Sequence, residues 1–227
     1  MELVHSFPAL NVESLQALEK TLSDRFDYPA LPEDYKQFLL KNNGGYVEPG
    51  YGNGSEEPTQ EVVFETPLHW AKDNNRPVTP SLIAFFVVWL PELMNEDEVT
   101  NWDIYELLAS NEHSKFDFDV LPDRMISIAK CSHPEAADML CLGLDDRDFG
   151  VVYYTYDKWY YPGKFHGDYY DKATQHILDK YQLESEQDID EDTEQGKKAI
   201  FELERVPFVK VADSFGDFLN KCRIQAF

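Results

Sequence analysis

Positive charge is scarce in this 227-residue chain: 20 Lys and Arg stand against 43 Asp and Glu, a net charge of -23. So few cations leave nothing to grip a phosphate backbone, which argues against direct nucleic-acid binding. Cysteine is almost as rare. Cys131, Cys141 and Cys222 are too few and too odd in number for a disulfide framework, so a reducing cytoplasm is the expected compartment. Neither a C-x-x-C pair nor an H-x₃₋₅-H spacing accompanies them, and no zinc site is expected. Long apolar runs are missing too: Leu82–Leu90 (LIAFFVVWL) falls far short of the ~20 residues that span a bilayer. The opening MELVHSFPALN has neither the basic leader nor the apolar stretch of a secretory signal. Catalytic signatures are lacking as well, with no G-x-S-x-G elbow, no H-E-x-x-H helix and no phosphate-cradling G-x-x-x-x-G-K. His5, His69, His113, His133, His166 and His176 are scattered. No catalytic residue, cofactor or metal is expected, and the chain does not read as an enzyme.

What is abundant is acid and aromatic side chains. Hydrophobic residues at 43% and aromatics at 14% are too many for a disordered chain and enough to fill a core. The run Glu184–Glu194 (ESEQDIDEDTE) holds 7 acids and no base. Removing it moves the net charge only from -23 to -16, so the rest of the chain is acidic too. A second concentration, Glu92–Asp123, has 10 acids against the single base Lys115. Such a surface attracts basic partners and can raise association rates by roughly 10–10³.

The pattern predicts one domain over 1–227 with an acidic insertion or excursion at about 164–206. Asn11 should cap a first helix with Val12, Leu15, Leu18 and Leu22 on one stripe, ending near Asp24. A second should start with Pro32 at its first helical position and bury Tyr35, Phe38 and Leu39, with Asn42 to Gly45 supplying left-handed residues that stop it. Two helices then precede any strand. Strand signals follow at Glu61–Glu65, at Leu82–Leu90, apolar on both faces and hence central, and at Met125–Ala129, Met139–Leu144 and Val151–Tyr156. Asn101 can cap a short helix over 102–109. Tyr169–Leu183 has helical spacing, and Asp213–Arg223 (DSFGDFLNKCR) predicts a closing amphipathic helix.

Four segments carry a resemblance. LPEDYKQFLLKNNGG (Leu31–Gly45), LPDRMISIAKCS (Leu121–Ser132), DMLCLGLDDRDFGVVYYTYD (Asp138–Asp157) and DSFGDFL (Asp213–Leu219), in this order, resemble the SUKH superfamily of bacterial immunity proteins and a fungal regulator of cell-wall synthesis. The resemblance covers most of 12–162 plus 206–225. It implies an α+β fold in which a mostly antiparallel sheet packs against an N-terminal helix pair and a closing C-terminal helix. The chain departs from the compact family form in its greater length, its acidic excursion and a longer Gly/Glu/Pro connection after the asparagines.

Asp145, Asp146 and Asp148 form the best metal candidate in the sequence, but Arg147 interrupts them and Gly150 is misplaced for a calcium loop, so a solvated hairpin turn is expected instead. Among Tyr153, Tyr154, Tyr156, Trp159, Tyr160 and Tyr161, alternate strand members should face opposite ways, with core packing the main expectation and exposed rings beside carboxylates a possible hot spot. The resemblance implies a non-catalytic cytoplasmic immunity protein that occludes a cognate, basic, nuclease-type polymorphic toxin domain, or alternatively a regulatory scaffold whose segment 184–194 recruits partners. Acidity beside aromatics selects Glu92, Glu96, Asp97, Glu98, Asp103, Asp145, Asp146, Asp148, Asp157 and Trp159 as the pool of partner contacts.

Overall fold

A computed structural model describes residues 5–46, 60–67, 77–88, 106–117, 121–132, 139–155 and 167–226. Helix α1 (Val12–Phe26) starts where the Asn11 side chain accepts from the Ser14 amide at 2.7 Å, and it ends on left-handed Asp27. Leu15, Leu18, Leu22 and Phe26, spaced three and four apart, are its buried stripe. In α2 (Glu33–Lys41), Pro32 occupies the cap position, one residue earlier than the sequence suggested.

The end of α2 also differs. Asn42 is extended, not left-handed, and breaks the helix by leading directly into β2 (Asn43–Tyr46). The positive φ angles come later, at Gly44 and Gly45. Gly44 has a second reason to be glycine: a Cβ there would collide with the Phe86 carbonyl. A short strand β1 (His5–Phe7) pairs with β2, so a strand does precede the helices. Local sequence could not show this, because β1 exists only through its partner.

The sheet continues with β3 (Gln60–Val63) and β6 (Ser81–Phe85), while β4 (Thr66–Pro67) and β5 (Pro77–Val78) form a separate ribbon. β6 is interior, as its two apolar faces predict: β2 and β3 share one of its edges and β7 (Met125–Ser132) takes the other. Helix α3 (Leu107–Glu112) intervenes, begun by Glu106, whose carboxylate accepts from the Ala109 amide at 2.5 Å, while the Leu107 amide is held by the Val87 carbonyl at 2.8 Å. The helix therefore sits later than the 102–109 expected, and Asn101 lies outside the described residues.

Strands β8 (Met139–Gly143) and β9 (Val152–Thr155) form the predicted hairpin, and β10 (Phe208–Ala212) adds to β9. The chain closes with α6 (Phe215–Lys221), capped by Ser214, and β11 (Arg223–Ala226), which pairs with β3. Every strand ladder among the described residues is antiparallel. β10 and β11 went unread in the sequence, being short strands embedded among helical and polar signals.

Helices α1, α2 and α6 cover one face of the sheet with a single core. Its centre is aromatic: Phe38 lies 4.7 Å from Phe85 and 5.1 Å from Phe215, and Phe64 lies 5.2 Å from Phe218. The opposite face carries Leu121, Met125, Cys141, Tyr153 and Phe208. Strand alternation thus sends Tyr154 to the first core and Tyr153 to the second, and both are buried. Burial pushes the Cys141 thiol up to about 12, which suits inert packing.

Candidate partner-binding cleft

The predicted excursion is folded structure: α4 (Gly167–Tyr181), a short 3₁₀ turn over Glu186–Asp188 and α5 (Glu194–Glu204). The two helices are tied at their outer faces, where the Lys180 ammonium and the Tyr181 hydroxyl donate to Glu202 at 2.6 and 2.8 Å. The acidic run between them is held by local bonds that its Ser, Thr and Gly make possible. Ser185 donates to Asp188 at 2.9 Å, Thr193 donates to the Asp190 carbonyl at 2.8 Å, and the same hydroxyl accepts the Gly196 amide at 3.0 Å as the cap of α5. Gly196 lies so close to the Asp190 carbonyl that any side chain would collide with it.

Helix α5 docks on the turn between β8 and β9. Arg205 donates from Nε to Asp148 Oδ2 at 3.0 Å, with both side chains buried. The Phe201 ring holds the Arg147 guanidinium 3.9 Å and the Arg205 guanidinium 4.5 Å from its centre. Arg147 also donates to the Lys197 carbonyl at 3.0 Å and forks onto Asp145 at 2.7 and 2.9 Å. That fork holds the Asp145 carboxyl down at about 2. The turn expected to be solvated is therefore only partly so. Asp148 is 4% exposed and paired, Asp145 is half-buried, and Asp146 alone of the three is exposed.

Between the docked excursion and the segment that precedes β7 lies a cleft of about 480 Å³. Leu121, Ile189, Ile200, Leu203 and Phe208 form the apolar part of its wall, with Tyr170 from α4 beside them. The carboxylates of Asp123, Glu186, Glu191 and Glu204 line it too, and among the described residues that line it none is basic. Two flanking cations offset part of this charge: Lys115 pairs with Asp123 at 2.6 Å and Arg205 with Glu204 at 3.2 Å. Burial raises the Glu204 carboxyl, Arg205 opposes the rise, and nearby Asp123 adds to it. Burial also raises the Tyr170 phenol, with Glu186 contributing next. Glu186 and Glu191 are both exposed.

Of the contact pool selected from sequence, Asp145, Asp146 and Asp148 share one turn, while Glu92, Glu96, Asp97, Glu98, Asp103, Asp157 and Trp159 lie outside the described residues. The cleft carboxylates were missed as a group because they come from three separate segments. One signal was available: Ile189 is the only apolar residue within Glu184–Glu194, and a purely solvated tail has no use for it. Among the described residues, no group of three or more His, Cys, Asp or Glu is placed to hold a metal ion, and no helix is long and apolar enough to cross a membrane.

A family model described as the SMI1 / KNR4 family (SUKH-1) matches residues 9–221. The match runs across the excursion as well as the four segments that carried the resemblance. No curated protein and no solved structure matches the chain.

Proposed function

The chain belongs to the SMI1 / KNR4 family (SUKH-1), and from that premise we propose that it is a non-catalytic immunity protein that binds a basic, nuclease-type toxin domain and blocks it by stoichiometric occlusion. Family members generally bind partner proteins and act as immunity or regulatory proteins without catalysis. The observation that carries the reading is the cleft, where four carboxylates converge and, among the described residues that line it, none is basic. Nuclease domains are basic where they grip nucleic acid, so an acidic surface of ~800 Å² would be complementary to that grip. Exposed Asp146 on the adjoining turn extends the proposed surface. The cytoplasm is its proposed place of action.

Affinity capture of the tagged protein from its own cells, at low and at physiological salt, tests the proposal. Recovery of a stoichiometric basic polypeptide with a toxin domain is the expected result. Recovery of signalling or wall-synthesis proteins alone would replace it with the regulatory reading, in which the same acidic excursion recruits them. With a partner in hand, Asp146→Asn should slow association and flatten its salt dependence; an unchanged rate removes the turn from the interface.

A further inference from the structure

We propose that the cleft receives an arginine-bearing segment of the partner polypeptide, with the side-chain stem against Ile189, Ile200 and Leu203 and the guanidinium among Asp123, Glu191 and Glu204. This rests on the partner-binding reading above and specifies its chemistry. At about 480 Å³ the cleft falls within the ~300–1,000 Å³ of ordinary ligand sites and is large enough for more than a single atom group.

Its composition suits an amphipathic cation. The apolar lining would accept a methylene stem, as Lys and Arg stems are accepted along apolar surfaces. Carboxylates contributed by the 121–123 segment, the acidic run and α5 converge on the same hollow. An anion would meet an excess of like charge there, because Lys115 and Arg205 offset only Asp123 and Glu204, and a wholly apolar group would strip water from Glu186 and Glu191 without pairing them. Arginine is favoured over lysine because a planar fork can bridge two carboxylates and lie on the Tyr170 ring, which lines the cleft. Arg205 and Phe201 already make that kind of stacked contact behind it, 4.5 Å apart.

The test uses the full chain and three blocked tetrapeptides: Leu-Arg-Leu-Arg, the lysine version, and the version with neutral citrulline in place of arginine. Titration followed by amide NMR should move resonances of 121–123, 186–191 and 200–208, with arginine binding at least tenfold more tightly than lysine and citrulline weaker still. The Glu186→Gln/Glu191→Gln variant changes only exposed side chains, so its fold should hold, as circular dichroism will check; it should lose at least tenfold in affinity. Asp146→Asn, outside the cleft, should lose none. Equal binding of citrulline, lysine matching arginine, shifts mapping elsewhere, or unchanged affinity in the double variant would each overturn the proposal. The two readings fail separately: a captured toxin domain that binds the double variant as tightly as the native chain removes the cleft but leaves immunity standing. Capture of no basic partner removes immunity while the peptide result still describes the cleft.

Discussion

Arg205 reaches back 57 positions along the chain to Asp148, Nε to Oδ2 at 3.0 Å, and both side chains are buried. This contact joins the end of α5 to the turn between β8 and β9. It also ties the excursion to that turn, where the Phe201 ring meets the guanidinium groups of Arg147 and Arg205.

Replacing Asp148 with Ala leaves the buried Arg205 guanidinium with only the Glu204 carboxylate, 3.2 Å away, so the loss should approach the ~3–5 kcal/mol of a broken buried pair. Urea unfolding would show the fall in midpoint. Asp148→Ala combined with Arg205→Met should recover part of the loss, since the under-compensated charge is then gone. A double variant as unstable as the sum of the two singles would contradict the ion pair's role.

Asp145 predicts a pH dependence. Its folded carboxyl titrates at about 2, below its ordinary value of 3.8, so the folded state prefers the charged form. The stability from this group is full above pH ~4 and is lost as pH falls toward 2. Asp145→Asn should flatten that part of a plot of urea midpoint against pH and leave its slope above pH 5 unchanged.

Asn43 exchanges two buried hydrogen bonds with Val88, amide to carbonyl and carbonyl to amide, both at 2.9 Å. Asn43→Ala strands both backbone groups and should cost about 2–6 kcal/mol, at roughly 1–3 kcal/mol for each unpaired group. A loss under 0.5 kcal/mol in thermal unfolding would mean that water replaces the side chain.

Gly196→Ala pushes a methyl into the Asp190 carbonyl. The acidic run must move, at about 1–3 kcal/mol, carrying Ile189 and Glu191 away from the cleft. Amide resonances of 186–193 should shift while those of β7 and β8 stay in place, and affinity for the arginine peptide should fall.

Glu204 separates binding from folding. Because its carboxyl is raised in the folded state, any stability it adds is present at low pH and lost as pH rises through its folded value. Glu204→Gln should therefore hold or increase the melting temperature at pH 7 while weakening the arginine peptide. A large drop in melting temperature would assign Glu204 to structure instead.

Elements that pay their own way locally were legible. The stripe of α1, the aromatic face of α2, the capped α6 and the interior strand Ser81–Phe85 follow from periodicity and caps that lie within a few residues. β1, β10 and β11 were not, since each is a strand only because a distant edge accepts it. The turn Asp145–Gly150 was read correctly as a hairpin and incorrectly as wholly solvated, because Arg205 is 57 residues away.

The sequence by itself determined an acidic chain, without the spacings of a disulfide framework or a zinc site, in which a helix pair precedes the main strands, and four of its segments carried the resemblance to the SUKH superfamily that implied the α+β fold. Those properties depend on residues near one another in sequence, or on totals. Only the tertiary structure decided what the acidic excursion does: it places Glu186, Ile189 and Glu191 opposite Leu121 and Asp123 around one cleft. Carboxylates from three segments share a hollow only when α5 is docked, and the docking depends on a buried charge pair whose two halves no local pattern connects.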